Sequence, residues 1–218
     1  MTLVKICGIR EVEHALVAFE AGADMLGIVF YPPSPRFVTI EQARAVREAV
    51  PDGGVKVVGL FVNESAERIN GVAAEVGLDV IQLSGDEPAS IIGDLDRPAI
   101  ASIRIDSSGK QDEEGRFREM IAAGPMAVHI DAHVPGMYGG TGTLADWFVA
   151  TDFALRYPVI LAGGVKPENA ADAIQRVKPF AIDVSSGVET DGVKDPTKIR
   201  AFIAAARAAD INVAQPAR

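Results

Sequence analysis

PVILAGGVKPENAADAIQRVKPFAIDVSSG, residues 158–187, holds one complete structural unit. It opens on a short apolar run, Pro158–Leu161, and turns at Gly163-Gly164. Lys166-Pro167-Glu168 then places proline in the first turn of a helical stretch, Pro167–Arg176. A second apolar run, Phe180–Val184, leads into Ser185-Ser186-Gly187. Short, continuously apolar runs joined through an amphipathic stretch read as strand, helix, strand, with the strands parallel and covered on both faces.

The same alternation runs back to the start of the chain. Leu3–Cys7, Met25–Phe30, Val55–Phe61, Val80–Leu83, Ala99–Ile105 and Met126–Asp131 are further apolar runs. Between them lie the helical patterns Glu11–Glu20, Ile40–Ala49, Ser65–Val76 and Asp112–Ala123, the first with Val12, Leu16 and Phe19 at helical spacing. Thr39, Glu64 and Ser65 supply helix starts, and Gly22 and Gly77 stand where helices stop. Eight strand-like runs in 218 residues give a repeat of about 25 residues, near the lower limit for an eightfold barrel. The fold expected is therefore α/β, a single (β/α)8 TIM barrel over residues 1–210, with a short tail, 211–218, that contains Pro216 and frays. An open doubly wound sheet is the competing architecture; eight strands with no second domain favour closure.

Composition narrows the function. Aromatic residues make up only 6% and the formal net charge is -9, which argues against a nucleic-acid partner, since neutralising phosphates takes a basic patch. The N-terminus runs straight into an apolar strand without the layout of a signal peptide, and no apolar run approaches a membrane span. The single cysteine, Cys7, forbids an internal disulfide and suits a reducing compartment, so a cytoplasmic protein is expected. His14, His129 and His133 are scattered without metal-ligand spacing, and no nucleotide-binding glycine fingerprint follows the first strand. Neither a metal nor a cofactor is expected. His14 reads as a surface residue, His129 as a packed imidazole and His133 as a loop residue near a ligand.

Barrels of this class place their reactive groups at the C-terminal ends of strands. By that rule the candidates are Cys7, Arg36, Asn63, Ser84, Arg104, Asp131, Gly163-Gly164 and Ser185-Ser186-Gly187. A lone Gly-Gly is an ordinary turn. Two glycine- and serine-bearing loops after strands seven and eight instead point to a phosphate, held by backbone N–H groups and the start of a short helix near Ser186. Cys7 has two readings: an inert buried thiol, or a reactive one at a strand mouth beside Lys5, which shares its side of the strand. Lys5 in turn either tunes that thiol or pairs with Asp183 on the neighbouring strand. Asp131 is a turn residue or a general acid beneath the glycine-rich stretch 135–142, itself a lid or a plain surface loop. Arg36 either forks onto a carboxylate or sits solvated.

Taken together, these stretches resemble the phosphoribosylanthranilate isomerases of tryptophan biosynthesis. The resemblance spans Lys5-Ile6-Cys7-Gly8-Ile9-Arg10, Ser34-Pro35-Arg36, Gly59-Leu60-Phe61-Val62-Asn63 and Gln82-Leu83-Ser84-Gly85. It continues through Ile130-Asp131, Gly139-Gly140-Thr141-Gly142 with Asp146-Trp147, Leu161-Ala162-Gly163-Gly164, Ile182–Glu189 and Lys194-Asp195. It implies an Amadori rearrangement in which Asp131 protonates the furanose ring oxygen and Cys7 removes the C2′ proton. Arg36 would hold the anthranilate carboxylate, Gly163, Gly164, Ser185, Ser186 and Gly187 the phosphate, and Asp183 would lie near the substrate or organise the base. The implied partner is a small phosphosugar, bound by a monomer or a homodimer. Ser84 stands where the family usually has histidine, with His129 and His133 as substitutes to consider, and Asp191-Gly192-Val193 replaces a usual proline-glycine. Two other readings are a catalytically silent phosphosugar-binding barrel and a bifunctional isomerase that also serves histidine biosynthesis. The second would need an aspartate where Cys7 stands.

Overall fold

The computed structural model describes residues 1–106, 113–133 and 144–213. Eight parallel strands form a closed barrel in sequence order: β1 (Leu3–Cys7), β2 (Met25–Val29), β3 (Lys56–Phe61), β4 (Val80–Leu83), β5 (Ala99–Asp106), β6 (Ala127–His133), β7 (Val159–Ala162) and β8 (Ala181–Val184). β8 pairs back onto β1, with Lys5 opposite Asp183. Around the barrel run α1 (Val12–Glu20), α2 (Ile40–Ala49), α3 (Ala66–Val76), α4 (Glu113–Ala122), α5 (Leu144–Ala154), α6 (Ala170–Val177) and α7 (Pro196–Val213). A 3₁₀ segment, Ala89–Asp94, follows β4, and a small antiparallel hairpin, β9 (Glu189–Thr190) with β10 (Val193–Lys194), follows β8.

The helices begin where the sequence offers acceptors to their open N–H groups. The Thr39 side chain and Gln42 form a reciprocal capping box on α2, and the Ser65 hydroxyl accepts from the Arg68 N–H on α3. Each such cap contributes about 1 kcal/mol. Gly77 ends α3 in the left-handed region at φ 78°. α6 starts later than Pro167, at Ala170. α7 continues to Val213, past the boundary expected at Asp210, and residues 214–218 of the expected tail lie outside the described residues.

α1 corrects one expectation, that His14 lies on the surface. Its buried residues are His14, Ala15, Val17 and Ala18; of the apolar positions at helical spacing, Phe19 packs against the core and Val12 is exposed. His14 is buried, at 6% exposure, with Nδ1 3.6 Å from Glu11.

Alternation along the strands sorts the core into two parts. One apolar cluster joins the outer strand faces to the helices. The other, Met25, Val58, Val80, Ile100, Ala127, Ile160 and Ala181 with Leu3 against it, fills the lower lumen. Two residues further along five of the strands the lumen turns polar, with Lys5, Gln82, Ser102, His129 and Asp183. Below the barrel, Asp24 accepts from the Val4 N–H at 2.7 Å and from Arg207 at 2.7 Å, while Arg207 donates to the Thr2 carbonyl. These bonds tie α7 to the seam where the barrel closes. Among the described residues no helix is long and apolar enough to cross a membrane.

Candidate active site

Lys5 is fully buried, and its ammonium donates to Asp183 Oδ2 at 2.9 Å. His129 Nε2 lies 2.9 Å from the same oxygen. Burial opposes the charge on Asp183, but Lys5 and then His129 outweigh it and hold the carboxyl down to about 2. Burial likewise works against the Lys5 ammonium, yet Asp183 keeps its pKa above the usual value. Of the two readings of Lys5, the pair with Asp183 is therefore present, and the ammonium also acts on the Cys7 thiol.

Cys7 follows Lys5 on the lumen side, at the last position of β1, and is 6% exposed. Burial pushes its thiol above the ordinary value; Asp183 adds to the rise, and Lys5 and Lys194 do not cancel it. Gly27, its register partner on β2, makes the space. A Cβ on Gly27 would stand 2.8 Å from Cys7 Sγ and 3.1 Å from Lys5 Nζ. Sequence reasoning passed over this glycine, although a glycine inside an apolar strand is itself a sign of close approach.

Gly8, in the left-handed region at φ 78°, lies beneath two candidates at once. A Cβ there would strike Arg36 Cδ and stand 3.1 Å from Ser185 Oγ. The arginine stem and the first serine of the β8 loop thus meet above Cys7-Gly8. Arg36 donates through Nε and Nη2 to the two oxygens of Glu189, each at 2.7 Å. Arg36 is half-buried and ion-paired, with 25% of its side chain exposed.

The loops after β7 and β8 are knitted together. Gly163 and Gly164 take φ 76° and 65°, conformations strained for any other residue. Asn169 donates to the Gly164 carbonyl at 2.9 Å and accepts from the Lys166 N–H at 2.8 Å, which fixes this turn. A Cβ on Gly187 would collide with the Val165 carbonyl of the β7 loop, so glycine is required there for the two loops to touch. The short helix expected near Ser186 is a single 3₁₀ turn, Ser186–Val188, with Ser186 exposed.

Asp131 pairs in register with Arg104 and Ala162, on the same side of β6 as His129, and is half-buried. The 135–142 stretch and the side chains of Arg104 and His133 lie outside the described residues. Ser84 joins a polar chain, accepting from Gln82 Nε2 at 3.1 Å and standing 3.1 Å from Ser102 Oγ. His129 Nε2 is held by Asp183, so only its other ring nitrogen is open to another partner. Asn63 lies further out: its backbone N–H donates to Glu87 at 2.7 Å and its side-chain oxygen accepts from the Asp86 N–H. It joins two loops and takes no place among the residues around Cys7.

Fold and mouth define the class: a (β/α)8 barrel with an apolar floor and fixed polar groups under the C-terminal strand ends, the architecture of small-molecule enzymes. The family model for N-(5'phosphoribosyl)anthranilate (PRA) isomerase matches residues 4–205. N-(5'-phosphoribosyl)anthranilate isomerase of Roseiflexus castenholzii is 49% identical over 215 residues, covering 95% of this chain and 99% of its own. The crystal structure of the Thermotoga maritima phosphoribosyl anthranilate isomerase superposes with a TM-score of 0.86 at 39% identity, covering 95% of this chain and 100% of that one. A phosphoribosyl anthranilate isomerase in complex with reduced 1-(o-carboxyphenylamino)-1-deoxyribulose 5-phosphate gives 0.82 at 36% identity, with coverage of 95% and 100%. The chain belongs to the N-(5'-phosphoribosyl)anthranilate isomerase family.

Proposed function

We propose that the chain catalyses the Amadori rearrangement of N-(5'-phosphoribosyl)anthranilate to 1-(2-carboxyphenylamino)-1-deoxy-D-ribulose 5-phosphate, a step of tryptophan biosynthesis. The observation that carries this reading is the meeting of Arg36 and Ser185 over Gly8, next to Cys7. A substrate bearing a carboxylate at one end and a phosphate at the other spans those two groups and lays its sugar over the thiol. The family relation to enzymes of that name supports the same substrate.

In the proposed reaction the Asp131 carboxyl gives its proton to the furanose oxygen, and the C1′–O bond breaks to leave a cationic Schiff base. The Cys7 thiolate removes the C2′ proton, and that electron pair moves into the C1′–C2′ bond and neutralises the nitrogen. The resulting enolamine tautomerises to the ketone. One group donates to oxygen while the other accepts from carbon, so the two need opposite protonation states. Arg36 binds the anthranilate carboxylate; Gly163, Gly164, Ser185, Ser186 and Gly187 bind the phosphate; Asp183 keeps Lys5 fixed beneath the thiol. A cytoplasmic location suits the unpaired Cys7 thiol.

The test is rescue of a tryptophan auxotroph that lacks the isomerase, together with steady-state turnover of the purified protein. Wild type is expected to restore growth, and Cys7→Ala and Asp131→Ala to fail. Equal rescue by Cys7→Ala would remove the thiol from the chemistry. A wild-type protein that binds phosphosugar without turnover would identify a silent binder.

A further inference from the structure

Glu189 and Lys194 face each other across the hairpin that follows β8. The turn between them is Asp191-Gly192, both in the left-handed region at φ 53° and 77°, which suits a tight two-residue hairpin turn. The hairpin is tied down on both sides. Lys198 donates to the Glu189 carbonyl at 2.7 Å, and Thr190 Oγ1 to Asp195 at 2.8 Å. Lys194 Nζ, its side chain only 3% exposed, donates to Glu189 Oε1 at 2.6 Å and to the Ser185 carbonyl at 2.9 Å.

Glu189 then meets Arg36 from the opposite end of the chain, taking Nε and Nη2 with its two oxygens. A guanidinium has five N–H groups in a rigid plane. With Nε and one Nη2 hydrogen engaged, the edge formed by Nη1 and the other Nη2 hydrogen remains for a second carboxylate. Charge supports the same assignment. Arg36 and Glu189 alone would cancel, whereas Lys194 leaves the trio at a net +1, attractive to an incoming anion.

We propose that Glu189, braced by Lys194, is a positioning residue that locks the Arg36 guanidinium so that a single edge receives the substrate's aromatic carboxylate. This rests on the function proposed above and goes further by assigning how carboxylate recognition is built. Carboxylate affinity accordingly depends directly on Glu189, whereas phosphate affinity depends on it only indirectly, through Lys194 and Ser185.

The experiment compares wild type, Glu189→Gln and Arg36→Lys, singly and combined, using steady-state kinetics and two competing probes, anthranilate and inorganic phosphate. Glu189→Gln is expected to raise KM and the anthranilate inhibition constant at least about tenfold, the scale of weakening one charge-assisted hydrogen bond. The phosphate constant changes much less than the anthranilate constant, and kcat falls much less than KM rises. In the Arg36→Lys background the Glu189→Gln change adds nothing further, because both act through one fork. Unchanged or tighter anthranilate binding in Glu189→Gln overturns the proposal; tighter binding would make Glu189 a competitor for the guanidinium. Additive effects with Arg36→Lys overturn it as well. If Glu189→Gln does not fold, Glu189→Asp withdraws the carboxylate by one methylene and is held to the same split. If wild type lacks turnover, the functional reading fails separately, and anthranilate binding followed by its own fluorescence decides this one.

Discussion

Gly27→Ala places one methyl group against the proposed base and is the sharpest probe of the mouth. The new carbon would stand 2.8 Å from Cys7 Sγ, 3.1 Å from Cys7 Cα and 3.1 Å from Lys5 Nζ. Carbon contacts are optimal at roughly 3.5–4.0 Å, so about 1 Å of room is missing on the sulfur side. The Cα belongs to β1 and is held by its ladder, leaving the sulfur and the ammonium to give way. Overpacking of this kind costs about 1–3 kcal/mol. In a chain of this size each kcal/mol lowers Tm by roughly 2–4 °C, so the protein still folds. Displacing a catalytic group by about 1 Å costs on the order of 10²-fold in rate. Steady-state assays beside a thermal melt should therefore find kcat reduced by about that factor, a modest loss of Tm, and inorganic phosphate inhibiting as in wild type. A folded Gly27→Ala enzyme with kcat within about threefold of wild type would refute the reasoning, since it would mean that the sulfur's position is immaterial.

Three other outcomes are expected. Cys7 is the chain's single cysteine, and its thiol lies above the ordinary 9.0, so in the ligand-free protein alkylation by iodoacetamide should keep accelerating with pH beyond that value; a rate that levels off near neutrality would contradict the burial argument. Asp183, at about 2 when folded against 3.8 when exposed, contributes roughly 2 kcal/mol of stability. That contribution is complete above 3.8 and is lost as pH falls through 2, so chemical denaturation of Asp183→Asn should show a flatter dependence than wild type over this acid range. Asp131→Asn should abolish deuterium exchange at C2′ of the substrate although Cys7 is intact, because the carbon acid forms only after the ring opens; exchange at the wild-type rate would separate the two steps.

The barrel was legible because its signals are local. A parallel strand covered on both faces is an unbroken apolar run, so Leu3–Cys7 and Val80–Leu83 coincide with β1 and β4, and the other runs end within a residue or two of their strands. Errors arose where packing overrides periodicity, as at His14 and Val12, since the face a helix buries depends on what it meets. The contacts of the mouth are non-local. Arg36 and Glu189 are 153 positions apart, and nothing in either neighbourhood announces the other. The Lys5–Asp183 pair is one of the two readings open to the sequence, because adjacent strands and matching alternation permit it, whereas the third member, His129, reaches across the lumen from β6. The turn at Asp191-Gly192 was the unused signal. Read as a two-residue hairpin, it sets Glu189 against Lys194 before any coordinates are considered.

The lysine beneath Cys7 does not make the thiol acidic, and the reason bears on the order of events. Asp183 binds the Lys5 ammonium, so the sulfur faces a largely neutralised pair inside a desolvated lumen, and burial dominates. A resting thiol of this kind is a poor base. In the proposed reaction ring opening would change its surroundings, because proton donation from Asp131 would leave a cationic Schiff base beside the sulfur. That cation would acidify the C2′ hydrogen and favour the thiolate, the thiol proton passing to solvent before the sulfur takes the C2′ proton, and in a site of low dielectric both effects are strong. On this account the acid step creates the conditions for the base step, and the Lys5–Asp183–His129 cluster fixes the thiol's position without activating it early. In the proposed mechanism geometry is supplied by the protein in advance, and the charge that turns Cys7 into a base is supplied by the substrate.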